Sequence, residues 1–252
     1  MATLTFLGSS GAVPAIGHDN VFLALEGKLS TLLIDCAGSP LLKLQLAGIE
    51  PAQLEYLILT HRHPDHVYGF PILLLDLWLL GDDRRPLQVV AEAEALRTAQ
   101  ALLGAFRTED WPGFSPPTYR ELALVEEVVV LDLPDLLILG SPVEHLAPTI
   151  GLKIVNRSSG RAVVYSSDTS PCESLVRLAS GADVLIHEAT GETRGHSSAA
   201  QAGEMARRAG VGTLYLAHYP PLTADLGALV DEARSEFSGP VKLARDFGSF
   251  EF

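Results

Sequence analysis

The chain has 252 residues, and 18 Lys and Arg against 31 Asp and Glu leave a formal charge of −13. Apolar residues make up 47% and charged residues 19%, which suits a folded globular protein and excludes a disordered one. With only four lysines (Lys28, Lys43, Lys153, Lys242) and scattered arginines, the balance also counts against a broad phosphate-neutralising surface. Two cysteines, Cys36 and Cys172, cannot build a disulfide framework, so a reducing, cytoplasmic setting is expected. Residues 1–6 have no basic n-region and no long apolar core, so no signal peptide is expected. The most apolar stretch, 69–81, is interrupted by Asp76 and falls short of the ~20 residues that span a bilayer.

No low-complexity tract, charge run or Ser/Gly linker divides the chain, and one domain over 1–252 is expected. Short strands are predicted at 3–7, 21–26 and 30–35, separated by the turn-rich Gly8-Ser9-Ser10-Gly11 and by Gly27-Lys28. Helical spacing over 41–47 stops at Gly48, and the apolar run 56–60 reads as a buried strand ending at a polar cluster. A helix over 67–80, a strand at 87–91 and an Ala-rich helix at 92–103 follow. Segment 106–119 has no clear periodicity and carries Trp111, Phe114 and Tyr119 among three prolines. It either buries its own aromatics against the sheet or roofs a site. In the second half, strands are predicted at 136–139, 150–155, 162–166, 184–187 and 213–217, with helices at 197–209 and 226–237. Both halves mix strand and helix, and their strands end in polar clusters, a pattern that suits an α/β sandwich with a site at the strand ends.

The chemistry concentrates in His61-Arg62-His63-Pro64-Asp65-His66. Three imidazoles and a carboxylate within six residues are costly to place in a core, and they are the donors that zinc and similar divalent ions take. On a turn, alternating positions project to one side, so His61 and His63 can hold one ion while Asp65 and His66 face a second. A dinuclear site needs further ligands. His145 and His218 each follow an apolar run, and so does Asp168, whose two oxygens can bridge two cations. His18 and His187 have no assigned role.

These motifs resemble, in order, the five motifs of the metallo-β-lactamase fold: Asp35 at a strand end, HxHxDH, a later His, Ser166-Ser167-Asp168-Thr169 and Ala217-His218. Within that superfamily the chain looks most like the RNase Z-like branch. The pointers are residues 8–14 with Asn20, then residues 65–71, His187-Glu188-Ala189-Thr190, and His196-Ser197-Ser198 opening a helix. The resemblance covers nearly the whole chain. It implies a four-layer αββα sandwich of two similar halves, with two divalent ions, zinc or manganese, at one edge of the sheets.

Carried over by motif, one ion takes His61, His63 and His145, the other Asp65, His66 and His218, and Asp168 bridges them. Asp35 would orient a ligand histidine through its far nitrogen. A metal-bridging hydroxide would be the nucleophile, with Asp65 accepting its proton. His196, oriented by Glu188, would contact the phosphate and protonate the leaving group. Two departures bear on substrate. Only 22 residues separate His145 from Asp168, too few for the tRNA-gripping arm of full-length RNase Z enzymes, and Ala217-His218-Tyr219-Pro220-Pro221 replaces their usual last motif. The expectation is a dinuclear metal-dependent phosphodiesterase acting on a small phosphodiester or nucleotide rather than RNA. An armless tRNA 3′-processing endoribonuclease and an inactive metal-binding sensor are the alternatives. A homodimer is compatible with the sequence.

Overall fold

The computed structural model describes residues 1–81 and 86–252. The first half runs β1 (Thr3–Gly8), β2 (Phe22–Glu26), β3 (Thr31–Ile34), α1 (Pro40–Leu46), β4 (Leu54–Leu59), α2 (Pro64–Val67), α3 (Phe70–Leu79), β5 (Gln88–Ala91), α4 (Ala93–Ala105) and β6 (Thr118–Glu121). The second half runs β7 (Val128–Asp132), β8 (Leu136–Val143), β9 (Thr149–Asn156), β10 (Ala162–Tyr165), α5 (Glu173–Ala179), β11 (Val184–Glu188), α6 (Ala199–Ala209), β12 (Thr213–Ala217), α7 (Leu226–Glu236), β13 (Val241–Leu243) and β14 (Ser249–Glu251).

Two seven-stranded sheets result, ordered β14-β1-β2-β3-β4-β5-β6 and β13-β12-β11-β10-β9-β8-β7. In each half, antiparallel strands lead into a parallel run: β3 to β6 in the first sheet, β10 to β13 in the second. Parallel strands need covering helices, and the side-chain alternation of period two sorts the core accordingly. Ile34 and Ile58 of the first sheet share the between-sheet core with Ile150, Leu152 and Ile154 of the second. Leu33, Leu57 and Leu59 point the other way, onto Leu44, Phe70, Leu73 and Ala99 of α1, α3 and α4. Leu185, Leu214 and Leu216 face Leu175, Ala202 and Ala233 of α5, α6 and α7. The layers are therefore helix, sheet, sheet, helix, as the resemblance implied.

Two differences from the sequence-based expectation have physical reasons, and one open alternative is decided. The helix expected over 67–80 is two helices, α2 and α3, broken at Tyr68-Gly69. Gly69 donates its N–H to the Cys36 carbonyl, and a Cβ there would come within 3.0 Å of the Ala37 backbone. Strands β6, β7, β13 and β14 and helix α5 went unpredicted, because three- to seven-residue segments carry too little periodicity to read alone. Segment 106–119 does not roof the strand ends where His61 and His218 lie. It enters β6 beside the beginning of parallel β5, with Thr118 opposite Gln88, which is the end of the sheet remote from His61. Trp111 stacks on Trp78 at 4.9 Å and packs edge-on to Phe114, so the loop half-buries these aromatics against its own neighbours while Phe106 stays exposed.

Candidate metal centre

The C-terminal ends of parallel strands converge at the edge between the two sheets. Asp35 follows β3, Thr60 and His61 follow β4, Ser167 and Asp168 follow β10, Glu188 ends β11 and His218 follows β12. Six described non-glycine residues have positive φ, and three of them are here: Asp35 (62°), Ser167 (53°) and His218 (50°). Left-handed backbone costs an L residue roughly 1–2 kcal/mol, and such strain persists where surrounding contacts over-determine it.

At Asp35 and Ser167 those contacts centre on Thr60 and a buried carboxylate. Asp35 Oδ1 accepts from the Thr60 N–H at 2.8 Å and from the Thr60 hydroxyl at 3.0 Å, and Ser167 Oγ donates to Thr60 Oγ1 at 2.8 Å. Asp35 Oδ2 lies 2.8 Å from His66 Nδ1, which turns the Nε2 of His66 inward. The same device recurs at two other imidazoles. His145 Nδ1 lies 2.6 Å from the Gly195 carbonyl oxygen, and His218 Nδ1 lies 2.8 Å from Thr190 Oγ1. Fixing the far nitrogen selects the tautomer and aims the near one.

All seven residues expected as ligands are brought together. Donor atoms of His61, His63, His145 and Asp168 lie within 4.8 Å of one another, and those of Asp65, His66 and His218 do likewise. Asp168 stands between the two groups. Its Oδ2 is 3.8 Å from His61 Nε2, 3.9 Å from His145 Nε2 and 3.5 Å from His218 Nε2, while its Oδ1 is 3.5 Å from His66 Nε2. Asp65 Oδ2 is 3.6 Å from His66 Nε2 and 3.4 Å from His218 Nε2. His61 Nε2, His66 Nε2 and Asp168 Oδ1 are buried with no hydrogen-bond partner. A buried polar atom left unpaired costs about 1–3 kcal/mol, and here three such atoms face one another. Nitrogen and carboxylate donors arranged so fit divalent cations.

The metal-free electrostatics divide the imidazoles. Burial, then the neighbouring histidines, hold His61 well below the usual imidazole range; burial and His145 likewise lower His63, and burial lowers His145. At His66 burial works in the same sense, but the Asp168 and Asp35 carboxylates outweigh it and hold the ring well above its ordinary value. His218 is raised against burial by Asp168 and Asp65. Burial would raise Asp168, yet the charges of His218 and His66 hold it well below the usual carboxylate range.

His196 and Glu188, expected to act as a pair, are in contact: His196 Nδ1 lies 2.9 Å from Glu188 Oε1. Glu188 is fully buried and accepts from the backbone N–H groups of Thr169, Thr190 and Ser197. Burial lowers His196, but the hydrogen bond and charge of Glu188 more than offset this and leave it above its ordinary value. A His196 ring nitrogen also lies within 4.8 Å of donor atoms of Asp168 and His218. His18 stays outside these clusters, with Nδ1 3.1 Å from the Tyr219 hydroxyl. His187 is buried, and strand alternation turns it from the site toward the helix layer. Thr60, Thr190 and Gly195 were not singled out from sequence. Thr60 adjoins HxHxDH and Thr190 closes the motif 187–190, but Gly195 acts through its carbonyl, which no residue type announces.

A family model described as "Beta-lactamase superfamily domain" matches residues 30–219. Ribonuclease Z of Mycobacterium sp. strain KMS is 32% identical, over 88% of this chain and 85% of the relative. Ribonuclease Z of Methanothermobacter thermautotrophicus is 28% identical, over 94% and 92%. Among solved structures, the metallo-β-lactamase fold protein YhfI from Bacillus subtilis superposes with a TM-score of 0.84 at 24% identity, over 100% and 99% of the two chains. The short form of human tRNase Z gives 0.79 at 21%, over 99% and 98%. A diphosphatase of the PhnP family gives 0.76 at 19%, over 100% and 98%.

Proposed function

The chain belongs to the β-lactamase superfamily as one of its metal-dependent hydrolases, and from that premise we propose that it is a dinuclear phosphodiesterase acting on a small phosphodiester or nucleotide. The observation that carries this is the His196–Glu188 pair beside the cluster of orphaned donor atoms. His61, His63 and His145 would hold one ion and Asp65, His66 and His218 the other, with Asp168 shared. Five histidines and two aspartates suit zinc, and manganese accepts the same donors. Such ions polarise a phosphoryl oxygen and acidify bound water when present.

The chain's own residues supply the rest. Asp65, reached by solvent beside His218, is placed to accept a proton. Glu188 stabilises the imidazolium form of His196, in which it can bind a non-bridging phosphate oxygen and pass its proton to the departing alkoxide. Asp35, Thr190 and the Gly195 carbonyl hold ligand rings in place. Residues 1–252 would work as one unit, a reading supported by a between-sheet core drawn from both halves.

The relatives named ribonuclease Z favour a second reading, tRNA 3′-end processing. Against a tRNA grip at the usual place, the stretch from His145 to Asp168 is taken up by β9 and β10. A cytoplasmic setting is supported by two free cysteines, Cys36 and Cys172, and no described helix is long and apolar enough to cross a membrane. The exposed Ile72, Leu79 and Leu80 around α3 would serve a homodimer. The test is a hydrolysis screen of metal-loaded protein on bis(p-nitrophenyl) phosphate, cyclic nucleotides and pre-tRNA, with elemental analysis. Two metal equivalents and turnover of the small diesters are expected. Efficient, site-specific cleavage of pre-tRNA would establish the second reading instead.

A further inference from the structure

A groove of about 810 Å³ adjoins the His145 side of the metal centre. That lies within the roughly 300–1,000 Å³ typical of small-molecule sites. Its rim is three tied segments. His145 Nδ1 meets the Gly195 carbonyl at 2.6 Å, the Gly195 N–H donates to Ser170 Oγ at 3.1 Å, and the Ser170 N–H donates to the Glu144 carbonyl at 2.7 Å. Gly195 has φ +84°, and a Cβ there would stand 3.0 Å from His145 Nδ1. The glycine lets the backbone close on the imidazole, and its neighbour Arg194 lines the groove beside a candidate metal ligand.

The charges lining the groove are unequal in standing. Arg177 donates to Glu126 through Nε at 2.8 Å and Nη2 at 2.6 Å, and Glu173 pairs with Arg208. Arg194 and Glu144 line the same groove, are exposed, and have no ion-pair partner among the described residues. Arg194 is thus the groove's one unneutralised cation among those residues, in a chain of net charge −13. Leu146 and Pro171 give it an apolar wall. A cation, a carboxylate and an apolar wall match the three parts of a nucleotide: phosphate, hydroxyl and amino donors, and base.

Resting on the phosphodiester reading above, we propose that this groove seats one ester arm of the substrate and that Arg194 selects arms carrying a further anionic group over neutral ones. The guanidinium binds the second anion, and Glu144 accepts from sugar or base donors. Because both groups are solvent-exposed, the preference weakens as salt rises.

Three dinucleotides test this with metal-loaded enzyme: TpT, pTpT and TpTp. One of the phosphorylated forms should exceed TpT about tenfold in kcat/KM, chiefly through KM. Arg194→Ala should bring that ratio near one, Arg194→Glu should invert it, and Arg194→Lys should keep most of it. A ratio of one in the unaltered enzyme, or a preference that survives Arg194→Glu, overturns the inference while leaving phosphodiesterase activity standing. Hydrolysis of none of the three overturns the phosphodiesterase reading. Calorimetry then decides the groove, because thymidine 3′,5′-bisphosphate should bind more tightly than thymidine 5′-monophosphate only when Arg194 is present. Equal affinities, or a difference that persists in Arg194→Glu, would remove the groove's role as well.

Discussion

At the scale of single residues, the division of labour is set by which nitrogen of each ring is already occupied. His196 has its Nδ1 committed to Glu188, whereas His66 has its Nδ1 committed to Asp35 and its Nε2 left without a partner. His196→Ala should therefore retain both metals by elemental analysis and lose roughly 10²–10⁴ in kcat on a diester with a poor leaving group. A p-nitrophenyl ester, whose leaving group needs little protonation, should be much less affected. The sign of the pH dependence follows from the direction of the shift. Glu188 raises His196, so the acid is present below that raised value and is lost as pH rises through it. Glu188→Gln removes the charge, and the alkaline limb of the kcat profile should move to lower pH. An unmoved limb would separate Glu188 from the acid. Asp35→Asn acts one residue further out. It weakens the hold on His66, and metal affinity measured by chelator competition should fall about 10- to 100-fold.

At the scale of elements, the helices of the second half are fitted by small residues. A Cβ on Gly203 of α6 would lie 2.3 Å from the Ala233 carbonyl oxygen of α7. The two helices approach closely only because that side chain is absent. Gly203→Ala should cost about 1–3 kcal/mol by overpacking, a drop of several degrees in Tm for a chain of this size. Metal content should not change, since α7 supplies no ligand. The start of α6 matters differently. Ser198 caps it with Gln201 in a reciprocal capping box, two residues after His196. Ser198→Ala should cost about 0.5–2 kcal/mol, read as a lower denaturant midpoint.

At the scale of the whole molecule, the candidate metal centre draws its donor atoms from both halves. The first supplies His61, His63, Asp65 and His66, and the second His145, Asp168 and His218. Without cations, the carboxylates keep His66 and His218 protonated more readily than free imidazole. Cations and protons therefore compete for the same atoms. Metal affinity should fall as pH drops through those raised values, and loading near neutral pH should release protons detectable by calorimetry in buffers of different ionisation heat. Stripping the ions should lower Tm, because a ligand bound only by the folded state stabilises it. An unchanged Tm at complete metal removal would contradict a centre that ties the halves together.

The sequence by itself determined the αββα class and the seven converging residues, for reasons that are local. HxHxDH places four donors in one turn, and Asp168 and His218 each follow an apolar strand, so strand ends and donors are legible together. It also paired His196 with Glu188 across seven intervening residues, through motifs that travel together. Tertiary structure alone decided which atom faces which. The positive φ at Asp35, Ser167 and His218 sits where strand ends of the two sheets meet, a placement that residue type alone does not announce. The Gly195 carbonyl on His145 is a backbone contact spanning fifty positions. Segment 106–119 shows the limit most plainly. Its aromatics and prolines suit either a roof or a self-packed loop, and only the parallel pairing of β6 with β5 sends it to the end of the sheet away from His61. Composition fixes what a loop can bury, but the direction in which its strand runs fixes where that burial happens.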